Sequence, residues 1–110
     1  MAKKAIPQKV KKEIKCYLDT LKADKLFIQS VFLFGSQARG TQRKGSDIDL
    51  CIISPKFENA SDALQYLWSK RKIYDVNYTI EPIGFSPREF RENSSLISEI
   101  KKTGIEITVP

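Results

Sequence analysis

The order of apolar periodicities in this chain predicts an α+β fold, a mixed β-sheet backed by helices. Three observations predict it. Residues 7–23 and 58–73 repeat apolar side chains at helical spacing. Residues 26–34 and 47–53 are short, nearly continuous apolar runs of strand length. The elements then follow one another as α-β-β-α-β-α-β. At 110 residues the chain has the length of one ordinary domain, and residues 1–110 read as one.

Pro7 suits a first helical turn, and Val10, Ile14, Tyr17 or Leu18, and Leu21 recur behind it, so residues 7–23 read as an amphipathic helix. Residues 26–34, rich in Phe, Ile and Val and ended by Gly35, read as a strand buried on both faces. Residues 36–41 suit a short helical turn and 41–45 a polar loop. The second strand runs over 47–53 and closes at Ser54-Pro55. Ala60, Ala63, Leu64, Leu67 and Trp68 mark a helix over 58–73. Residues 76–85 read as a third strand, in which Pro82 demands a bulge or an edge position. Ser86, Pro87 and Glu89 spell a capped helix start, and the helix is expected to continue to Gly104, preceded by Lys101 and Lys102. Residues 105–109 form a short last strand.

Composition narrows the chemistry. The sequence contains no histidine, which removes Ser-His-Asp and Cys-His catalysis and nearly all zinc chemistry. Two cysteines, Cys16 and Cys51, make no disulfide framework and read as buried or half-buried thiols of a cytoplasmic protein. No apolar run approaches the ~20 residues of a membrane span, and the start of the chain has no apolar signal segment. The net charge of +6 is uneven, with eight lysines in residues 1–25 against Glu13, Asp19 and Asp24. Such a face reads first as a solvated helix surface, and more weakly as an attractor of RNA, a nucleoside triphosphate or an acidic partner.

The chemistry-bearing constellation is Gly35-Ser36, ten residues, then Asp47-Ile48-Asp49. The glycine stands where a strand must turn sharply and backbone can approach a ligand. Ser36 and the amides after it form an anion-binding helix start. Asp47 and Asp49, two apart on a strand, leave the same face, with Ile48, Leu50 and Ile52 on the opposite one. Adjacent carboxylates repel, and a divalent cation bridging them to phosphate oxygens resolves the conflict. These are parts for metal-assisted phosphoryl or nucleotidyl transfer.

The run from Val31 through Phe34-Gly35-Ser36-Gln37-Ala38-Arg39 to Gly40, with Ser46-Asp47-Ile48-Asp49-Leu50, resembles the signature of the DNA polymerase β-type nucleotidyltransferase superfamily. More narrowly it resembles the minimal nucleotidyltransferases paired with HEPN-domain partners, and the likeness extends over essentially the whole chain. It implies the nucleotidyltransferase (polymerase β palm-like) fold. It further implies triphosphate binding at Gly35 and Ser36 and two Mg²⁺ ions held by Asp47, Asp49 and a third carboxylate. Asp75 and Glu81 are the candidates. The family places that residue a few positions before a Ser/Thr-Pro helix start, which favours Glu81, five before Ser86.

Arg39, one turn from Ser36, is placed either to contact a phosphate or to pair with a nearby carboxylate. Ser46 is counted with the nucleotide-binding residues, capping or orienting the Asp47 strand, since no base to activate it as a nucleophile is visible. Arg43 and Lys44 read as solvated charges, and Tyr66, Trp68 and Tyr74 as packing residues. The implied reaction moves AMP from ATP to an acceptor hydroxyl. The chain shows no second domain to grip an acceptor, so the resemblance points to a HEPN-type partner protein with this chain as its antitoxin. A non-catalytic module that neutralises its partner by binding is the competing reading. An aminoglycoside-type small-molecule nucleotidyltransferase, whose acceptor pocket would need a homo-oligomer, is a third.

Overall fold

The computed structural model describes residues 6–35, 38, 47–71 and 79–108. Helix α1 spans Gln8–Ala23, with Pro7 at its N-cap. The strands are β1 (Ser30–Phe34), β2 (Ile48–Ile53), β3 (Ile80–Phe85) and β4 (Ile105–Ile107). Between them lie α2 (Ala60–Ser69), α3 (Pro87–Arg91) and α4 (Ser95–Thr103). The sheet is mixed, in the order β3-β2-β1-β4. β1 pairs antiparallel with both β2 and β4, and β2 pairs parallel with β3. This is the expected α+β class.

One sheet face is sealed. Val31 and Leu33 of β1 and Ile48, Leu50 and Ile52 of β2 are buried there. They pack with Val10, Ile14, Tyr17, Leu18 and Leu21 of α1 and Ala63 and Leu67 of α2. The predicted apolar stripe of α1 is therefore its buried face, and its lysines Lys9, Lys11, Lys12, Lys15 and Lys22 are exposed, as is Lys25 just beyond it. α1 ends in a Schellman motif, with Leu26 N–H donating to Leu21 O at 3.1 Å and Lys25 held at φ 66°. Two links tie α1 to α2. The Tyr17 hydroxyl donates to Leu67 O at 2.6 Å, and the Tyr66 hydroxyl donates to Asp24 Oδ2 at 2.5 Å, with Lys70 Nζ 3.3 Å from the same carboxylate.

The opposite face is covered only in part. Cys51, Ile53 and Ile100 are buried there, with Phe32, Phe34, Ile83, Phe85 and Phe90 packed around them. The rings of Phe32 and Phe90 stack at 5.3 Å. β1 therefore alternates buried and half-buried residues instead of being covered on both faces, and it begins at Ser30 rather than at residue 26.

The single helix expected from Ser86 to Gly104 is two helices. Its start is as read: Ser86 Oγ accepts from Glu89 N–H at 3.1 Å while Glu89 Oε1 accepts from Ser86 N–H at 3.0 Å. Glu89 Oε2 also accepts from Ala60 N–H at 3.2 Å, so one carboxylate caps two helices. The chain then breaks at Asn93, whose φ is 53°, and restarts with Ser94 as a second N-cap. Gly104 ends α4 in an extended conformation, not a left-handed one. α2 is shorter than 58–73 because Asn59 caps it and Lys70 closes it.

Gly84 lets β3 and α2 touch. A Cβ there would lie 2.7 Å from Phe57 Cε2, 2.9 Å from Leu67 Cδ1 and 3.0 Å from the Ala63 Cβ. Gly84→Ala is expected to destabilise the fold by about 1–3 kcal/mol through overpacking, read as a lower urea midpoint with unchanged slope. The thiols differ more than the sequence implied: Cys16 is exposed, whereas burial pushes Cys51 up to about 12. In native protein at pH 8, iodoacetamide should alkylate Cys16 and leave Cys51 unmodified by mass spectrometry until denaturant is added.

Candidate active site

The parity of β2 and β3 decides where their acidic residues go. In a strand, side chains alternate faces, so Ile48, Leu50 and Ile52 enter the sealed core and Asp49 is turned to the other face. Asp47, immediately before β2, shares that parity. Parallel pairing sets Asp49 opposite Glu81, and antiparallel pairing sets Phe34 opposite Asp49. Phe34, Asp49 and Glu81 therefore form one rung across three strands. The next rung is Phe32, Cys51 and Ile83, which belongs to the apolar cluster with Phe90 and Ile100.

The three carboxylates act on one another. Partial burial, and after it the charges of Asp47 and Asp49, push the Glu81 carboxyl above the usual carboxylate range, and both aspartates lie within hydrogen-bonding reach of it. Of the two candidates for third carboxylate, Glu81 is thus brought to the pair, and Asp75 lies outside the described residues. So do Ser36, Arg39 and Ser46, together with Arg43, Lys44 and Tyr74.

Gly35 follows β1 with φ +73°, a left-handed conformation that side chains other than glycine's rarely adopt. A Cβ at that position would stand 2.2 Å from Asp49 Oδ2. The missing side chain is the space the Asp49 carboxylate occupies. This supplies a reason for the glycine that the sequence reading, which assigned it to a turn and a ligand approach, did not contain.

The donor set fits a hard divalent cation: all oxygen, strongly negative, and pressed against backbone at Gly35. Among the described residues no three such side chains are grouped closely enough to cage a cation by themselves. Mg²⁺ is usually held by one or two carboxylates, with waters and substrate phosphates completing its octahedron. Two hollows lie elsewhere, about 360 Å³ between α1 and β4 and about 470 Å³ beside Asp24 and Tyr66. Neither is lined by Asp47, Asp49 or Glu81. We place the chemistry with the carboxylates because the strand register sets Glu81 opposite Asp49.

Sequence reasoning missed two residues here. Phe34 completes the rung, a position its alternation with Phe32 would have shown. Trp68, read as packing, is 41% exposed and donates its indole N–H to Pro82 O at 3.0 Å, next to Glu81.

An α+β sheet with acidic residues gathered at its uncovered end is an architecture of transferases that work on phosphate groups. The chain belongs to the nucleotidyltransferase domain family, whose model matches residues 10–107. Two solved structures share the fold. A candidate nucleotidyltransferase from Sulfolobus solfataricus matches with a TM-score of 0.63 at 20% identity, over 89% of this chain and 78% of that one. A toxin-antitoxin structure with AMP-PNP matches with a TM-score of 0.56 at 22% identity, over 89% of this chain and 73% of that one. No protein of curated function matches. Among the described residues, no helix is long and apolar enough to cross a membrane.

Two outcomes follow from the geometry. Gly35→Ala should cost about 1–2 kcal/mol for its left-handed backbone, and more if Asp49 cannot move aside. Glu81→Gln removes one of the mutually repelling carboxylates and should raise the thermal midpoint in EDTA by a few degrees, the stability gain expected where a functional site is strained.

Proposed function

We propose that this chain is a Mg²⁺-dependent nucleotidyltransferase that moves AMP from ATP to a hydroxyl on a partner protein. The observation that carries the reading is the convergence of Asp47, Asp49 and Glu81 on the uncovered end of the sheet, against Gly35. Family membership supports the reaction class. AMP-PNP in the toxin-antitoxin neighbour supports an adenine nucleotide and a protein partner. The sequence resemblance supports a HEPN-type ribonuclease toxin as that partner, with this chain as antitoxin.

In the reaction an acceptor oxygen attacks the α-phosphorus, the bond from that phosphorus to the bridging oxygen breaks, and pyrophosphate leaves. Asp47, Asp49 and Glu81 would hold the Mg²⁺. The ions supply charge neutralisation on the phosphates and a lowered pKa at the acceptor hydroxyl. The acceptor hydroxyl's proton passes to solvent as the new bond forms. Gly35 and Ser36 would seat the triphosphate by the sequence resemblance, and Arg39 and Ser46 by their places in the sequence beside Ser36 and Asp47. Such catalysis is mostly positioning and electrostatics, and a small domain suffices for it.

The test is incubation with α-labelled ATP and Mg²⁺, alone and with the product of the adjacent gene. Label is expected on that partner, lost at least ~100-fold in Asp47→Asn/Asp49→Asn, by the scale of removing one preorganised electrostatic group. ATP binding without any transfer would instead favour the competing reading, a nucleotide-binding module that neutralises its partner by contact.

A further inference from the structure

We propose that Trp68 is a positioning residue that holds Glu81 in the carboxylate rung through the backbone of Pro82. The inference rests on the reading of Asp47, Asp49 and Glu81 as one cation-binding set.

β3 is an outer strand of the sheet. Along it, backbone groups point alternately toward β2 and away. Thr79 O accepts from Ile48 N–H at 2.8 Å and Phe85 O from Ser54 N–H at 3.1 Å, so the odd-numbered residues, Glu81 among them, face β2. Pro82 faces outward. It has no N–H to lose there, but its carbonyl points off the sheet edge. The Trp68 indole N–H donates to that carbonyl at 3.0 Å.

Trp68 comes from α2, on the sealed face, and must wrap around the edge to reach it. Burial does not explain where the ring sits, because Trp68 is 41% exposed. Two directional contacts do: the hydrogen bond, and the Arg71 guanidinium carbon 4.0 Å from the ring centroid.

Glu81 is the second residue of β3, near the end where the strand begins. Asp47 and Asp49 lie on the β2 side of it, and their charge repels the Glu81 carboxylate outward, toward the free edge. The ladder to β2 holds the strand on one side. Trp68 holds it on the other, one residue from Glu81. Groups that orient a metal ligand in this way set its affinity without touching the ion.

The experiment measures Mn²⁺ binding to the full chain by electron paramagnetic resonance of the free ion. Four proteins are compared: wild type, Trp68→Phe, Glu81→Gln and the double variant. Trp68→Phe keeps a ring beside Arg71 and removes only the donor. It should weaken Mn²⁺ binding roughly 10-fold, the low end for partners that orient a ligand, and the double variant should bind no worse than Glu81→Gln alone. Unchanged affinity in Trp68→Phe, or losses that multiply in the double variant, would overturn the proposal. Amide hydrogen exchange gives a second readout that needs no ion. Trp68→Phe should speed exchange at Glu81 and Ile83 about 10-fold with Leu33 of β1 unaffected, as local opening would, and equal rates would also overturn it. If wild type binds no Mn²⁺, the nucleotidyltransferase reading fails, and the exchange rates still decide whether Trp68 holds the strand.

Discussion

Asp47 just before β2, Asp49 on β2 and Glu81 on β3 meet at one end of a parallel strand pair, and like charges there oppose the pairing that brings them together. What overcomes the repulsion is the parallel ladder between β2 and β3, backed by Ile48, Leu50 and Ile52 in the sealed core beneath. Burial of large aliphatic side chains contributes on the order of 1.5–3 kcal/mol each, far more than repulsion between partly solvated carboxylates. The acidic rung is therefore tolerable because the opposite face of the same strands is so well packed. Gly35 belongs to the same balance: the sheet accepts a left-handed backbone turn so that the Asp49 carboxylate has somewhere to sit.

The two faces of the sheet divide stability from chemistry. α1 and α2 close the first face completely. On the second, Ile100 and Phe90 pack with Cys51 and Ile53 and with Phe34, the apolar member of the rung of Asp49 and Glu81. The break between α3 and α4 contributes to this arrangement, since a single straight helix from Ser86 to Gly104 could not present both Phe90 and Ile100 to one small cluster while also returning the chain to β4. Glu89 fixes the start of that arrangement to the start of α2 by satisfying amides of both helices.

Much of this was legible in the chain itself. The α1 stripe, the opposite-facing Asp49 and Ile48 and the Ser86 capping box all rest on local rules with short reach: periodicity, parity and capping. The family resemblance added the roles. The readings that failed depend on what stands next to a residue in space. The apolar run before Gly35 looked buried on both sides because Phe32 and Phe34 look like core, yet both are only half-buried against the smaller cluster of Cys51, Ile53 and Ile100. The break at Asn93 was hidden by apolar residues that keep helical spacing on both sides of it, although Ser94 was a visible cap. Cys16 sits on the solvent side of α1, one residue from the buried Tyr17, a difference that a strict reading of the helical period would have resolved.

Pro82 ties these strands together most tightly, although by its residue type it looks like a fault in β3. In a strand, the face taken by a side chain and the edge taken by its backbone alternate together. A proline can only stand where the backbone points off the sheet, and in β3 those positions place their side chains on the sealed face, as Pro82 and Gly84 do. Every odd position then turns its backbone to β2 and its side chain to the open face. A register slip of one residue would aim the proline at β2, remove a ladder hydrogen bond and bury the carboxylate of Glu81 in the α2 interface. The slipped sheet is therefore excluded twice, once by hydrogen bonding and once by charge. The residue that weakens β3 as a strand is the one that forces Glu81 to lie beside Asp49.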